Sequence, residues 1–289
     1  MTATTANNFE HAICSASLGE KGWYPNDEAA LTTLLNSLFQ DPQDTLLSSP
    51  TALIIPHAGY RYSGKTAAKA IQHLQGNTYS KIILMGPSHY YPLHQKISIP
   101  IASAYQSPLG NYPIDTKSCQ ALLNTPFFTS VPEIHTKEHS IQIELPLLQH
   151  IAINTPIIPL IVGHLQKEDC AAITSILKES IDDNTLLIVS TDFTHYGASF
   201  GYLPFEDSIQ NNLKNLDMGA VNHLTTLNFD GFCQYIDDTQ ATICGQDSLK
   251  LLLQLLPPDS HAHLLEYTTS GELTQDWSHS VSYVAMAYT

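Results

Sequence analysis

Basic residues are scarce in this chain: Lys and Arg number 12 against 27 Asp and Glu, a formal net charge of −15 over 289 residues. Such a field repels phosphate backbones, and no Lys/Arg cluster makes a local exception, so neither nucleic acid nor an anionic membrane surface is an expected partner. Cysteines are few, odd in number and widely spaced, at Cys14, Cys119, Cys170, Cys233 and Cys244, with no CxxC pair. That pattern argues against a disulfide framework and a structural zinc finger, and for a reducing compartment. Long apolar runs are missing as well. They are strand-sized, or cut short as Leu251–Leu256 is before Pro257 and Pro258, so no membrane-spanning helix is expected. Met1 to Glu10 has neither a basic region nor an apolar core of the kind that marks an export signal. The expected setting is cytoplasmic.

What is present is a globular composition, 43% apolar and 13% charged. No linker, repeat or low-complexity tract divides it, which predicts one domain over residues 1–289. Thr51–Pro56, Lys81–Gly86, Pro156–Val162 and Thr185–Ser190 are solid apolar runs, the pattern of strands buried on both faces. Helical spacing covers Asn26–Phe39, Ser63–Leu74, Asp115–Leu123, Ser140–Ile151, Lys167–Ser180, Phe205–Leu216 and Ser248–Leu256. Asn26 and Ser63 are expected to cap the first two, and Pro146 to kink the fourth. His261–Tyr267 and Ser280–Tyr288 read as further strands. The alternation predicts an α/β fold, an α/β/α sandwich around a largely parallel central sheet.

Three of these strands end alike, with a small-residue turn and then a histidine beside an aromatic: His57 near Tyr60, His89 before Tyr90, and His195 before Tyr196. In an open α/β sheet the loops after the strands' carboxyl ends form the ligand crevice, so parallel strands bring these imidazoles together. Cys244 lies just before the Leu-rich helix, where a helix N-terminus favours a thiolate. Imidazoles and a thiolate suit Fe(II), Cu or Zn. Asp192 either completes a two-His, one-carboxylate set or orients His195. His139, in Glu138-His139-Ser140, reads as a helix start or a pocket residue, and Trp23 as core packing or a rigid pocket wall. No GxGxxG follows a strand. Gly59 to Thr66 (GYRYSGKT) has the spacing of a phosphate loop, but bulky Tyr60, Arg61 and Tyr62 stand where such loops keep small residues.

The ordered series Gly22-Trp23-Tyr24-Pro25, Pro56-His57-Ala58-Gly59-Tyr60, Gly86-Pro87-Ser88-His89, Glu138-His139-Ser140-Ile141, Ser190-Thr191-Asp192-Phe193-Thr194-His195 and Thr242-Ile243-Cys244-Gly245 resembles the MEMO family. That family includes mediators of cell motility in animals and component B of the prokaryotic AmmeMemoRadiSam system. The resemblance implies a fold like that of class III extradiol non-heme iron dioxygenases. It also implies metal ligands His57, His89 and Cys244, for Fe or Cu with Zn as the alternative. His195 and Asp192 would stand beside them as acid/base groups. Trp23, Tyr62 and His139 would line a substrate or peptide groove, and the other AmmeMemoRadiSam components, a radical-SAM protein among them, would be partners. Three functions compete: a redox or oxygen-using metal oxidoreductase, a peptide- or protein-binding module on a degenerate enzyme pocket, and a metal-free cysteine hydrolase using Cys244, His195 and Asp192.

Overall fold

The computed structural model describes residues 18–40 and 46–289, together with residues 9, 11, 13 and 14 of the N-terminal stretch. Most of Met1–Glu10 therefore lies outside the described residues. Nine strands form the main sheet: β1 (Ala52–Ile55), β2 (Lys81–Pro87), β3 (Ile97–Ser98), β4 (Phe128–Thr129), β5 (Ile157–Val162), β6 (Thr185–Ser190), β7 (His195–Gly197), β8 (Ala262–Thr269) and β9 (His279–Tyr288). Their order is β7-β9-β1-β6-β2-β5-β3-β4, with β8 also paired to β9. The central four, β1, β6, β2 and β5, run parallel. Long β9 then joins antiparallel to β1, β7 and β8.

The solid apolar runs become these central strands because helices flank the sheet and leave neither face to water. β1, β5 and β6 are buried at every position. Helix Tyr60–Ile71 packs on β1 and β9, and helix Gln246–Leu255 on β2 and β6. A separate three-stranded sheet pairs Ile13–Cys14 with Ala104–Ser107, and that strand with Gly110–Pro113. No helix among the described residues is long and apolar enough to cross a membrane.

Several local expectations are corrected. The first helix is Glu28–Leu38, and Asp27, not Asn26, caps it by accepting from the Ala30 N–H at 2.9 Å. The next starts at Tyr60, so Ser63 is no cap; its hydroxyl, inside the first turn, donates to the Ala58 carbonyl. Gly64, Lys65 and Thr66 lie within that helix, which removes the phosphate-loop geometry. Residues 140–144 are turns, and the helix expected there is only Leu145–His150. Pro146 stands in its first turn, where a missing N–H costs nothing, so it opens the helix without kinking it.

The helix expected at Phe205–Leu216 is instead Ile209–Thr225, and a second helix, Phe229–Thr239, follows it. Gly219 sits inside the longer one. A Cβ there would lie 2.2 Å from the Tyr235 hydroxyl oxygen, so the glycine lets the two helices approach. Tyr235 uses that approach to donate its hydroxyl proton to the Leu216 carbonyl at 2.7 Å.

Candidate metal centre at the carboxyl edge of the sheet

His57, His89 and Asp192 all sit just past the carboxyl ends of parallel strands, β1, β2 and β6. Cys244 reaches them from the turn before helix Gln246–Leu255. That turn closes on the loop after β6 because residue 245 is glycine. A Cβ at Gly245 would lie 2.5 Å from the Thr191 Cβ, and its N–H donates to the Thr191 hydroxyl at 2.8 Å. The result is a cluster in which one ligand atom each from His57, His89 and Cys244 lie within 4.8 Å of one another. The Cys244 Sγ is 3.1 Å from His57 Nε2. A thiolate and an imidazole on one ion, with bonds of about 2.3 and 2.0–2.1 Å, stand roughly 3.1–3.6 Å apart. The donor set and its spacing therefore fit a transition metal.

Each imidazole is oriented by its other nitrogen. Ser190 spends its only proton on Glu144 Oε1 at 2.9 Å, so its oxygen accepts from His57 Nδ1–H, also at 2.9 Å. That leaves the His57 Nε2 lone pair turned to Cys244. Burial, then the neighbouring imidazoles of His139 and His89, pushes the His57 pKa well below its usual value, so the ring is neutral. Glu144 is pushed the other way, well above the carboxylate range, by complete burial without a cation.

His89 is held by Glu138. The carboxylate accepts from the His89 backbone N–H at 2.7 Å, from His89 Nδ1–H at 2.8 Å, and from the N–H groups of His139 and Ser140. Burial alone would raise the Glu138 pKa, but His139 and His89 outweigh it and hold the carboxyl well below its ordinary range. Burial likewise works against the His89 imidazolium, yet Cys244 and Glu138 raise its pKa to about 10. Neither Glu138, Ser190 nor Glu144 stood out in the sequence as a site residue. The only hint was Glu138 directly preceding His139.

His195 faces the same cavity but is outside the three-ligand cluster. Its Nδ1–H donates to the Thr242 carbonyl at 3.1 Å, and its backbone N–H to the Thr242 hydroxyl. Thr242, not Asp192, thus sets its tautomer and leaves Nε2 unprotonated; burial lowers its pKa. Asp192 instead accepts from the His57 backbone N–H at 2.8 Å, and burial raises its pKa to about 7. A Cys244–His195–Asp192 relay is not assembled, because the sulfur faces His57. Trp23 stacks on His139 with ring centroids 4.3 Å apart. Both, with Tyr62, line a cavity of about 460 Å³ that also contains His57, His89 and Asp192.

The chain is 30% identical to "Protein memo-1 homolog" of Caenorhabditis elegans over 96% of its own length and 83% of that protein. It is 28% identical to "Protein MEMO1" of Danio rerio, covering 95% and 97% of the two chains. A solved structure, "uncharacterized protein JW3007 from Escherichia coli K12", superposes with a TM-score of 0.51 at 11% identity, covering 82% of this chain and 99% of that one, a likeness of fold. The family description "Memo-like protein" matches residues 20–287, and the chain belongs to that family.

Proposed function

We propose that this chain is a metal-dependent oxidoreductase whose centre is held by His57, His89 and Cys244. The observation that carries the reading is the convergence of two imidazole nitrogens and one sulfur, from three distant segments, within 4.8 Å. Bound Fe or Cu would supply one-electron redox chemistry and a Lewis-acid position; Zn would supply only the latter. The chain's own groups do the rest. His195, neutral with Nε2 unprotonated, accepts a proton from a substrate in the cavity. Asp192, titrating near neutrality, holds or returns one. Trp23, His139 and Tyr62 wall the substrate and exclude water. The protein would work in the cytoplasm alongside AmmeMemoRadiSam components, including a radical-SAM protein. Anaerobically purified protein is expected to carry close to one Fe or Cu per chain by elemental analysis, and His57→Ala to carry none. Wild-type protein without metal after reconstitution would sink this reading.

A binding module is the second reading, favoured by the aromatic wall: Trp23 stacks on His139, and Tyr62 is 40% exposed at the cavity's edge. A peptide or partner protein retained equally by wild type and by metal-free Cys244→Ser would favour it over the enzyme.

A further inference from the structure

We infer that a transition-metal ion reaches the centre by its own route, through a small cavity behind Cys244 with His164 and Asp247 at its mouth. The inference rests on the metal-centre reading above. The cavity, about 140 Å³, is lined among others by Ser88, His164, Cys244, Asp247 and Ser248. None of its lining residues belongs to the larger cavity that holds His57, His89 and Trp23. The three ligands thus lie between two openings: the imidazoles face the large one, and Cys244 faces the small one. A substrate seated against His57 and His89 leaves the second opening clear.

The mouth is built from metal-ligating groups. His164 Nδ1 and Asp247 Oδ2 are 3.3 Å apart, with the His164 side chain 58% exposed and the Asp247 side chain 12% exposed. Two ligands on one tetrahedral ion, with bonds of about 2.0–2.1 Å, stand at that separation. Lys250 holds the other carboxylate oxygen, Oδ1, at 2.9 Å, which turns Oδ2 toward His164. The net charge of −15 concentrates cations at the surface. Two ligands at the mouth grip an ion loosely; two imidazoles and a sulfur inside grip it more strongly, so transfer runs inward.

Stopped-flow uptake of Co²⁺ by the metal-free full-length protein, followed through the sulfur-to-cobalt absorption, tests the route. His164→Ala, a change at an exposed ring, is expected to slow loading about tenfold at low salt, with the final amplitude unchanged. Wild-type loading rates in His164→Ala would overturn the route while leaving the centre intact. Absence of Co²⁺ uptake by wild type would overturn the centre and the route together.

Discussion

Ser190→Ala isolates the relay that orients His57. In the wild type, His57 Nδ1–H donates to Ser190, and Ser190 donates to Glu144, each over 2.9 Å. The alanine removes both bonds. It frees the imidazole to exchange tautomers, so Nε2 is no longer reserved for an ion beside Cys244. Loss of such an outer partner lowers metal affinity by about 10–100-fold, or roughly 1.4–2.7 kcal/mol. The variant also strands the Nδ1–H and Glu144 Oε1 in a fully buried place, at about 1–3 kcal/mol of stability. Glu144→Gln is the discriminating partner. Burial keeps Glu144 neutral, so an amide replaces it without removing charge, and its oxygen still accepts from Ser190. Zn²⁺ titration against a competing chelator should find Glu144→Gln within about twofold of wild type and Ser190→Ala weaker by the factor above. Equal affinities for Ser190→Ala and wild type would refute the argument.

Glu138→Gln removes one of the two groups that raise the His89 pKa and leaves the other, Cys244, in place. In wild type the raised pKa, about 10 against an ordinary 6.5, stabilises the metal-free protein fully below pH 6.5, and that support fades as pH rises through 10. At pH 8 an incoming ion must therefore expel the His89 proton in wild type, and less of it in the variant, where Cys244 alone raises the pKa. Calorimetric Zn²⁺ titrations in two buffers of different ionisation enthalpy should count fewer protons released per ion for Glu138→Gln; equal counts would dismiss the pairing. Gly245→Ala would place a Cβ 2.5 Å from Thr191 Cβ, so urea unfolding of the metal-free protein should find it less stable by about 1–3 kcal/mol. An unchanged midpoint would mean the close approach is unimportant.

The sheet was legible because its central strands are buried on both faces, which leaves uninterrupted runs such as the Ile and Leu of β5 and β6. The histidines were legible for a related reason: a parallel sheet aims every strand's carboxyl end at one edge. Residues 140–144 misled because Ile141, Ile143 and Leu145 are all buried in a segment whose spacing also suits a helix. Local pattern could not reveal that the Ser140 hydroxyl is committed to the Pro87 carbonyl, 53 residues away. The same limit hid Ser190 and Glu144 as a unit, 46 positions apart. Thr242 was missed because the bond that sets the His195 tautomer uses its carbonyl, which every residue type possesses.

Two buried carboxyls, Glu138 and Glu144, flank the centre in opposite protonation states, and counting donors explains why. Glu138 takes three backbone N–H groups, and the His139 and His89 rings beside it overcome burial and keep it ionised. Glu144 receives one hydroxyl, its Oε2 has no partner, and it stays neutral. The difference passes to the imidazoles they control. His89, bound directly to an anion, is held protonated; His57, reached only through Ser190, is held neutral, and the two rings lie 5.1 Å apart. Charging both at that distance would be costly. A metal ion arriving at this edge therefore meets one imidazole already free to bind and another that must first lose a proton. Proton-coupled loading is thus set jointly by the Cys244 sulfur beside His89 and by which carboxyl each histidine faces.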